Sequence, residues 1–293
     1  MLDGLLVVDK PGGCTSHDVV ARVRKAAGQR KVGHAGTLDP DATGVLLVGL
    51  GRATRLMRFL SIESKSYRSD VVFGVATDTL DAAGRVVDRQ PMTVDREALA
   101  EASRRFIGEI DQVPPMVSAV KIGGRRLHEI ARAGEEVERA PRRVRIDRIE
   151  VEALEPGPYP VATIVVECGS GTYIRALAAD LGAALGGFAH VGTLRRLSVG
   201  SFTLDEAHSL DAIEADPAGL LLAPLDAVRD LDPLAADDEI ARAVAHGSVF
   251  PAAGLPVDPD APGPFAVVGP SGSLLAVYER RGGALKPAVV VST

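Results

Sequence analysis

Apolar positions along this chain follow two rhythms, one of period two and one near 3.6. "KSYRSDVVFG" (65–74) alternates, with Tyr67, Ser69, Val71 and Phe73 on one side and Arg68, Asp70 and Val72 on the other. That alternation predicts a strand. "RVRIDRIEVEAL" and "VATIVVEC" predict two long paired strands across an "EPGPYP" loop. "LLVVD" (5–9) and "GVLLVGLG" (44–51) are continuous apolar runs too short for a typical helix, and read as buried strands. Helical spacing marks "TSHDVVARVRKAAG", where Ser16 is placed to cap and Gly28 to end the helix. It also marks "ATRLMRFLS" and "TVDREALAEASRRFIG", the latter capped by Thr93 or Asp95 and stopped by Gly108. "MVSAVKIGGRRLHEIARAG" predicts a strand, a Gly-Gly turn and a helix ended by Gly134. "GTYIRALAADLGAALGG" predicts a helix that turns Ile174, Leu177, Ala178, Leu181 and Leu185 inward. Strands and helices do not alternate regularly enough for a doubly wound sheet, so the pattern predicts an α+β fold with a mixed, mainly antiparallel sheet and inserted helices.

After residue 225 the texture changes to an acidic, Pro-containing stretch and short apolar runs separated by Gly and Pro. Two domains are expected, 1–225 and a small, separate β-rich domain over 226–293. With 46% hydrophobic and 25% charged residues the chain has the composition of a globular protein. The beginning of the sequence lacks the features of a signal peptide and no apolar run is long enough for a membrane span, so a cytoplasmic location without membrane association is expected. Cys14 and Cys168 stand far apart without a CxxC, and buried free thiols are expected rather than a metal site.

The net charge of −6 argues against a polyanionic partner only as an average. Residues 22–68 carry ten Lys/Arg against three acids, whereas 205–293 carry fourteen acids against five bases. Local charge at a binding face matters more than the sum. A second basic stretch holds Arg125, Arg126, Arg132, Arg142, Arg143 and Arg145. Phosphate contacts from Arg125, Arg126, Arg142 and Arg143 are expected if the partner is RNA.

"GHAGTLDPDATG" (33–44) sets Asp39 in a tight Gly-rich loop, with His34 five residues before it. The loop lacks the GK[ST] of a phosphate-binding loop and is no dinucleotide fingerprint. Taken by itself, Asp39 either organises a turn or pairs with Asp41 in acid/base work as in glycosidases.

The loop extended to "GHAGTLDPDATGVLLVGLGRATR" resembles the nucleophile motif of the TruB family of pseudouridine synthases. Other stretches resemble that family in the expected order: "GLLVVDKPGGCTSHDVV", "KSYRSDVVFGVATDTLDAAG", "PPMVSAVKIGGRRLHEIARAG", "CGSGTYIRALAADLG" and "AHVGTLRRLSVGSF". The resemblance runs from about residue 4 to 205, and the remainder resembles a compact PUA-like domain. The chain departs from the family pattern at Val117 and His128, where the family often has Tyr.

The resemblance implies a pseudouridine-synthase fold and isomerisation of the T-loop uridine of tRNA, position 55, without cofactor or metal. Asp39 is then the nucleophile, and attack at C1′, attack at C6 and promoted elimination stay open as its route. His34 fills the space of the extruded base. Tyr67 stacks on the uracil and helps remove the C5 proton. Arg175 pairs with Asp39, and Tyr173 and Leu194 line the uracil pocket. Asp78 and Asp81 are turn organisers near the site. The expected partner is the tRNA T-arm stem-loop, bound by a monomer that needs no guide RNA or protein partner. An additional role as a tRNA-folding chaperone, a guide-dependent relative and a glycosidase are the competing readings.

Overall fold

The computed structural model describes all residues except 61–63, 119, 136, 252–254, 256, 259–260 and 292–293. The side chains of Arg126, His128 and Arg132 also lie outside the described residues.

The chain runs through β1 (Gly4–Lys10), α1 (Ser16–Ala26), β2 (Val32–Ala35), β3 (Thr43–Leu50), α2 (Met57–Leu60) and β4 (Lys65–Phe73). A hairpin of β5 (Val75–Thr77) and β6 (Val86–Arg89) follows, then α3 (Arg96–Arg104) and β7 (Gly108–Gln112). The hairpin of β8 (Lys121–Ile122) and β9 (Arg125–Arg126) leads into α4 (Leu127–Arg132). The long strands β10 (Arg142–Glu155) and β11 (Val161–Cys168), helix α5 (Ile174–Ala184) and β12 (Ala189–Val199) complete the main layer.

The main sheet has the order β1-β3-β12-β4-β11-β10-β7, with β2 paired to β3 and strand His208–Ser209 on the outer edge of β1. Pairing is antiparallel except between β12 and β3 and between β1 and His208–Ser209. The expected mixed, mainly antiparallel α+β sheet is what forms. β4 alternates as its sequence requires, with Lys65, Tyr67, Ser69, Val71 and Phe73 buried. β1 and β3 read as unbroken apolar runs because both faces of this part of the sheet are covered. Leu6, Val8, Leu46 and Val48 join one core with α1 and α5, while Leu5, Val7, Val45 and Leu47 join another.

The C-terminal region forms its own sheet of strands Asp232–Ala235, Phe265–Val268, Leu274–Arg281, Ala284–Val290 and Phe250–Pro251. This region also packs against the main layer. Ala266, Leu274, Val277 and Val289 share a core cluster with Val7, Leu47, Met57 and Phe59 of the main layer. Apolar area on the back of the main sheet is removed from water by this docking, so the region is packed against the layer as well as linked to it.

The cap of α1 differs from expectation by one residue, and the cap of α3 is one of the two residues expected. Thr15 caps α1 in a capping box with Asp18, which leaves Ser16 free for another partner. Asp95 caps α3, which ends at Arg104, and Gly108 opens β7 instead. Of the two thiols, Cys168 is buried and Cys14 half-buried, and both are free. No helix among the described residues is long and apolar enough to cross a membrane.

Candidate active site

The hairpin of β2 and β3 presents residues 36–42 at one end of the main sheet. Gly36 and Gly44 frame this loop with φ of 72° and 102°. These are left-handed values that glycine adopts without strain. A Cβ on Gly44 would also meet the Arg196 carbonyl oxygen at 2.1 Å, so this position admits no side chain.

The loop is clamped from three sides. Lys10, fully buried at the end of β1, donates from Nζ to the carbonyls of Pro40 at 2.8 Å and Ala42 at 2.7 Å, and to Pro11 at 2.9 Å. Burial pulls its ammonium below the usual lysine range, while Cys14, Asp41 and Asp39 oppose that pull. Ser16 Oγ accepts from Leu38 N–H at 2.9 Å and donates to Leu38 O at 3.2 Å. Arg196, 1% exposed, donates from Nε to Val45 O and from Nη2 to Gly36 O. The backbone on both sides of Asp39 is therefore fixed by buried donors and acceptors, and leaving any of them unpaired is costly.

Asp39 itself meets Arg175, the second residue of α5. Nε lies 2.9 Å from Oδ2 and Nη2 lies 3.1 Å from Oδ1, a two-pronged contact. The Arg175 side chain is 4% exposed against 38% for Asp39, so the carboxylate faces outward from a buried cation. Arg175 also donates to Thr79 O at 2.9 Å and Val117 O at 2.8 Å, and lies 3.5 Å from Asp81 Oδ2. Burial raises the Asp39 carboxyl above the ordinary carboxylate range, Arg175 pulls it back, and Asp81 adds to the rise. Asp81 thus does more than organise its turn, although it does that too, accepting from Thr79 Oγ1 and Ala83 N–H. Asp78 accepts from Arg85 N–H in the same turn.

Two cavities meet at Asp39, Arg175 and Leu194. The smaller, about 280 Å³, is walled by Lys65, Tyr67, Tyr173 and Arg196. The larger, about 660 Å³, lies between Asp41, Thr43, Asp70, Asp81, Val117 and Arg195. Tyr67 is buried on β4 and shares the wall of the smaller cavity with Arg196. Burial pushes its hydroxyl above the usual tyrosine value, and the Arg196 guanidinium opposes the push. Tyr173 caps α5 and is held by buried Gln112, which accepts from Tyr173 N–H at 2.8 Å and donates to Tyr173 O at 3.1 Å.

Asp39, Tyr67, Tyr173, Arg175 and Leu194 are therefore brought together. His34 lines neither cavity. It stands on β2 beside exposed His17, the rings edge to face at 5.3 Å, and its Nδ1 is buried with no hydrogen-bond partner. Burial, with His17 and Arg196, lowers its pKa to about 4, so the ring is neutral at pH 7. Arg125, Arg142 and Arg143 lie away from both cavities. Arg125 pairs with Glu135, and Arg143 with Glu109 and Asp111, while Arg142 makes no ion pair among the described residues. Among the described residues no group of three or more His, Cys, Asp or Glu could hold a metal.

Lys10, Gln112 and Arg196 are not singled out by sequence reasoning, and Ser16 only as a helix cap. A signal did exist for Arg196, which follows Leu194 by two residues on a strand and so shares its face. Buried lysine, serine and glutamine carry no such mark, because their partners are backbone groups distant in sequence.

The comparisons with known proteins agree along the length of the chain. Residues 24–174 match the TruB family pseudouridylate synthase N-terminal domain. Residues 175–226 match the tRNA pseudouridylate synthase B C-terminal domain, and 227–292 the tRNA pseudouridine synthase II C-terminal domain. A protein of Mycobacterium sp. (strain KMS) named tRNA pseudouridine synthase B is 47% identical over 286 residues, covering 94% of this chain and 92% of its own. A protein of the same name from Thermobifida fusca (strain YX) is 44% identical over 299 residues, covering 99% of each. Among solved structures, a Cbf5-Nop10-Gar1 complex contains a chain 26% identical with a TM-score of 0.75, covering 98% of this chain and 84% of that one.

Proposed function

The chain belongs to the TruB family of pseudouridylate synthases, and on that premise we propose that it isomerises the T-loop uridine of tRNA, position 55, with Asp39 as nucleophile. The reaction breaks N1–C1′ and forms C5–C1′. The C5 proton is lost and N1 gains one, so the product has the mass of the substrate. The observation that carries this reading is the two-pronged Arg175–Asp39 contact at the meeting of two cavities. A guanidinium so placed orients a carboxylate and favours its charged form against the cost of burial.

The uridine must leave its stack to reach Asp39, at a cost of a few kcal/mol. His34, neutral and on β2 outside both cavities, fills the space it vacates. The uracil enters the smaller cavity between Tyr67, Tyr173 and Leu194. Tyr67 takes the C5 proton, with Arg196 offsetting the cost of a phenolate in a buried site. The chain acts as a monomer in the cytoplasm, without guide RNA or an obligatory protein partner. Incubating the purified chain with one unmodified tRNA transcript and mapping pseudouridine tests this. Conversion at position 55 without a guide is expected, and conversion only with an added guide, or release of free base, would overturn it. A tRNA-folding activity would be separable, because it would survive Asp39→Asn.

A further inference from the structure

The basic stretch around residues 125–148 looks from sequence like a phosphate-binding surface, yet four of its described arginines are engaged by acids. Arg125 pairs with Glu135, Arg143 with Glu109 and Asp111, Arg145 with Asp147, and Arg148 with Glu150 and Glu167. The end of α1 is different. Between Asp18 and Asp39 the chain has no acidic residue, while it has Arg22, Arg24, Lys25, Arg30 and Lys31. Arg22 is taken by Asp211 and Glu214. The other four are exposed, and none makes an ion pair among the described residues. Arg24 donates to Val32 O at 2.8 Å. Lys25 acts on Glu214, and Lys31 on Asp3, only through longer-range attraction.

Arg24, Lys25 and Arg30 line an open concavity with Gly28 and Gln29, and no carboxylate lines it. Gly28, with φ of 60°, makes the turn that folds Arg30 back beside the helix end. The helix dipole accounts for cations in the last turn, Arg24 and Lys25, but not for Arg30 and Lys31 beyond it. The location is also specific. Ser16, at the other end of α1, bonds to Leu38 next to Asp39, and the helix places the concavity about 15 Å away from there. Lys31 lies three residues before His34, about 10 Å along the chain.

We propose that this concavity, together with Lys31, is a contact for the phosphate backbone of the RNA whose base enters the site, and that the strand 142–148 contributes less because three of its four arginines are paired with acids. This rests on the RNA substrate named above. The chemistry recognised is a run of phosphates without base reading.

The test measures binding of an unmodified tRNA transcript at several salt concentrations. The proteins compared are the wild-type chain, the triple variant Lys25→Ala/Arg30→Ala/Lys31→Ala, the reversal Arg30→Glu, and Arg148→Ala as a paired-arginine control. Each lost phosphate contact removes about 0.7–0.9 from the slope of log K against log salt. The triple variant is expected to flatten the slope by about 2 and to weaken binding at low salt at least about tenfold, with Arg148→Ala leaving the slope in place. A triple variant with the wild-type slope, or an equal loss in Arg148→Ala, would overturn the proposal. Failure of the wild-type chain to form pseudouridine would count against the reaction, whereas the slopes decide this surface independently.

Discussion

Arg175 is a single side chain that holds two carboxylates, Asp39 and Asp81, and two backbone carbonyls, Thr79 and Val117, from a buried position. Replacing it by Lys keeps the charge but loses the paired geometry. With about 1.5–3 kcal/mol for a hydrogen bond to a charged group, the expected loss in kcat is roughly ten- to a hundredfold, read in single-turnover assays. The pH dependence has a definite sign. In the proposed reaction Asp39 acts as the carboxylate, and burial raises its pKa, so activity is expected to fall as pH drops through a value above the ordinary one. Arg175→Gln removes the group that lowers that pKa and is expected to move the acid limb to higher pH. A limb at the ordinary carboxylate value in both proteins would contradict this. At this scale Asp39, Tyr67 and Arg175 were legible because each sits in a motif. Lys10 and Arg196 were not, because they bond to backbone carbonyls up to 160 residues away in sequence.

The β2–β3 hairpin and the start of α1 act together as the support of the loop. Ser16 was expected to cap α1, but Thr15 fills that role, and Ser16 turns to Leu38 instead. A capping box and a loop clamp use the same residue types at adjacent positions, so sequence alone did not separate them. Ser16→Ala leaves the Leu38 N–H without this partner, at about 1–3 kcal/mol. The expected result is a lower melting temperature together with a fall in kcat larger than any change in KM. Gly44→Ala puts a methyl against the Arg196 backbone and is expected to abolish activity or soluble expression, whereas Gly28→Ala, with nothing within 4 Å of the added atom, carries only the backbone strain of its positive φ.

The main sheet and the C-terminal sheet share a core, and this sets the behaviour of the whole molecule. The composition shift after residue 225 made the second region visible in the sequence, but composition reports a change of chain character and not which apolar faces meet. Phe202 is fully buried in the shared cluster, with the Arg229 guanidinium 3.9 Å from its ring centroid. Phe202→Ala is expected to cost about 3–5 kcal/mol and to lower the melting temperature by about 6–20 °C. Calorimetry should then show both regions unfolding in one transition. Two transitions, with only one moved by the substitution, would mean that the shared cluster does not couple them.

Substitution of Asp39 by the isosteric Asn tests the central claim most directly, with pseudouridine mapped in an unmodified tRNA transcript after treatment with each protein. The account predicts full conversion at position 55 by the wild-type chain and none by Asp39→Asn, although the variant binds the transcript as tightly. Conversion by Asp39→Asn at a comparable rate would contradict it.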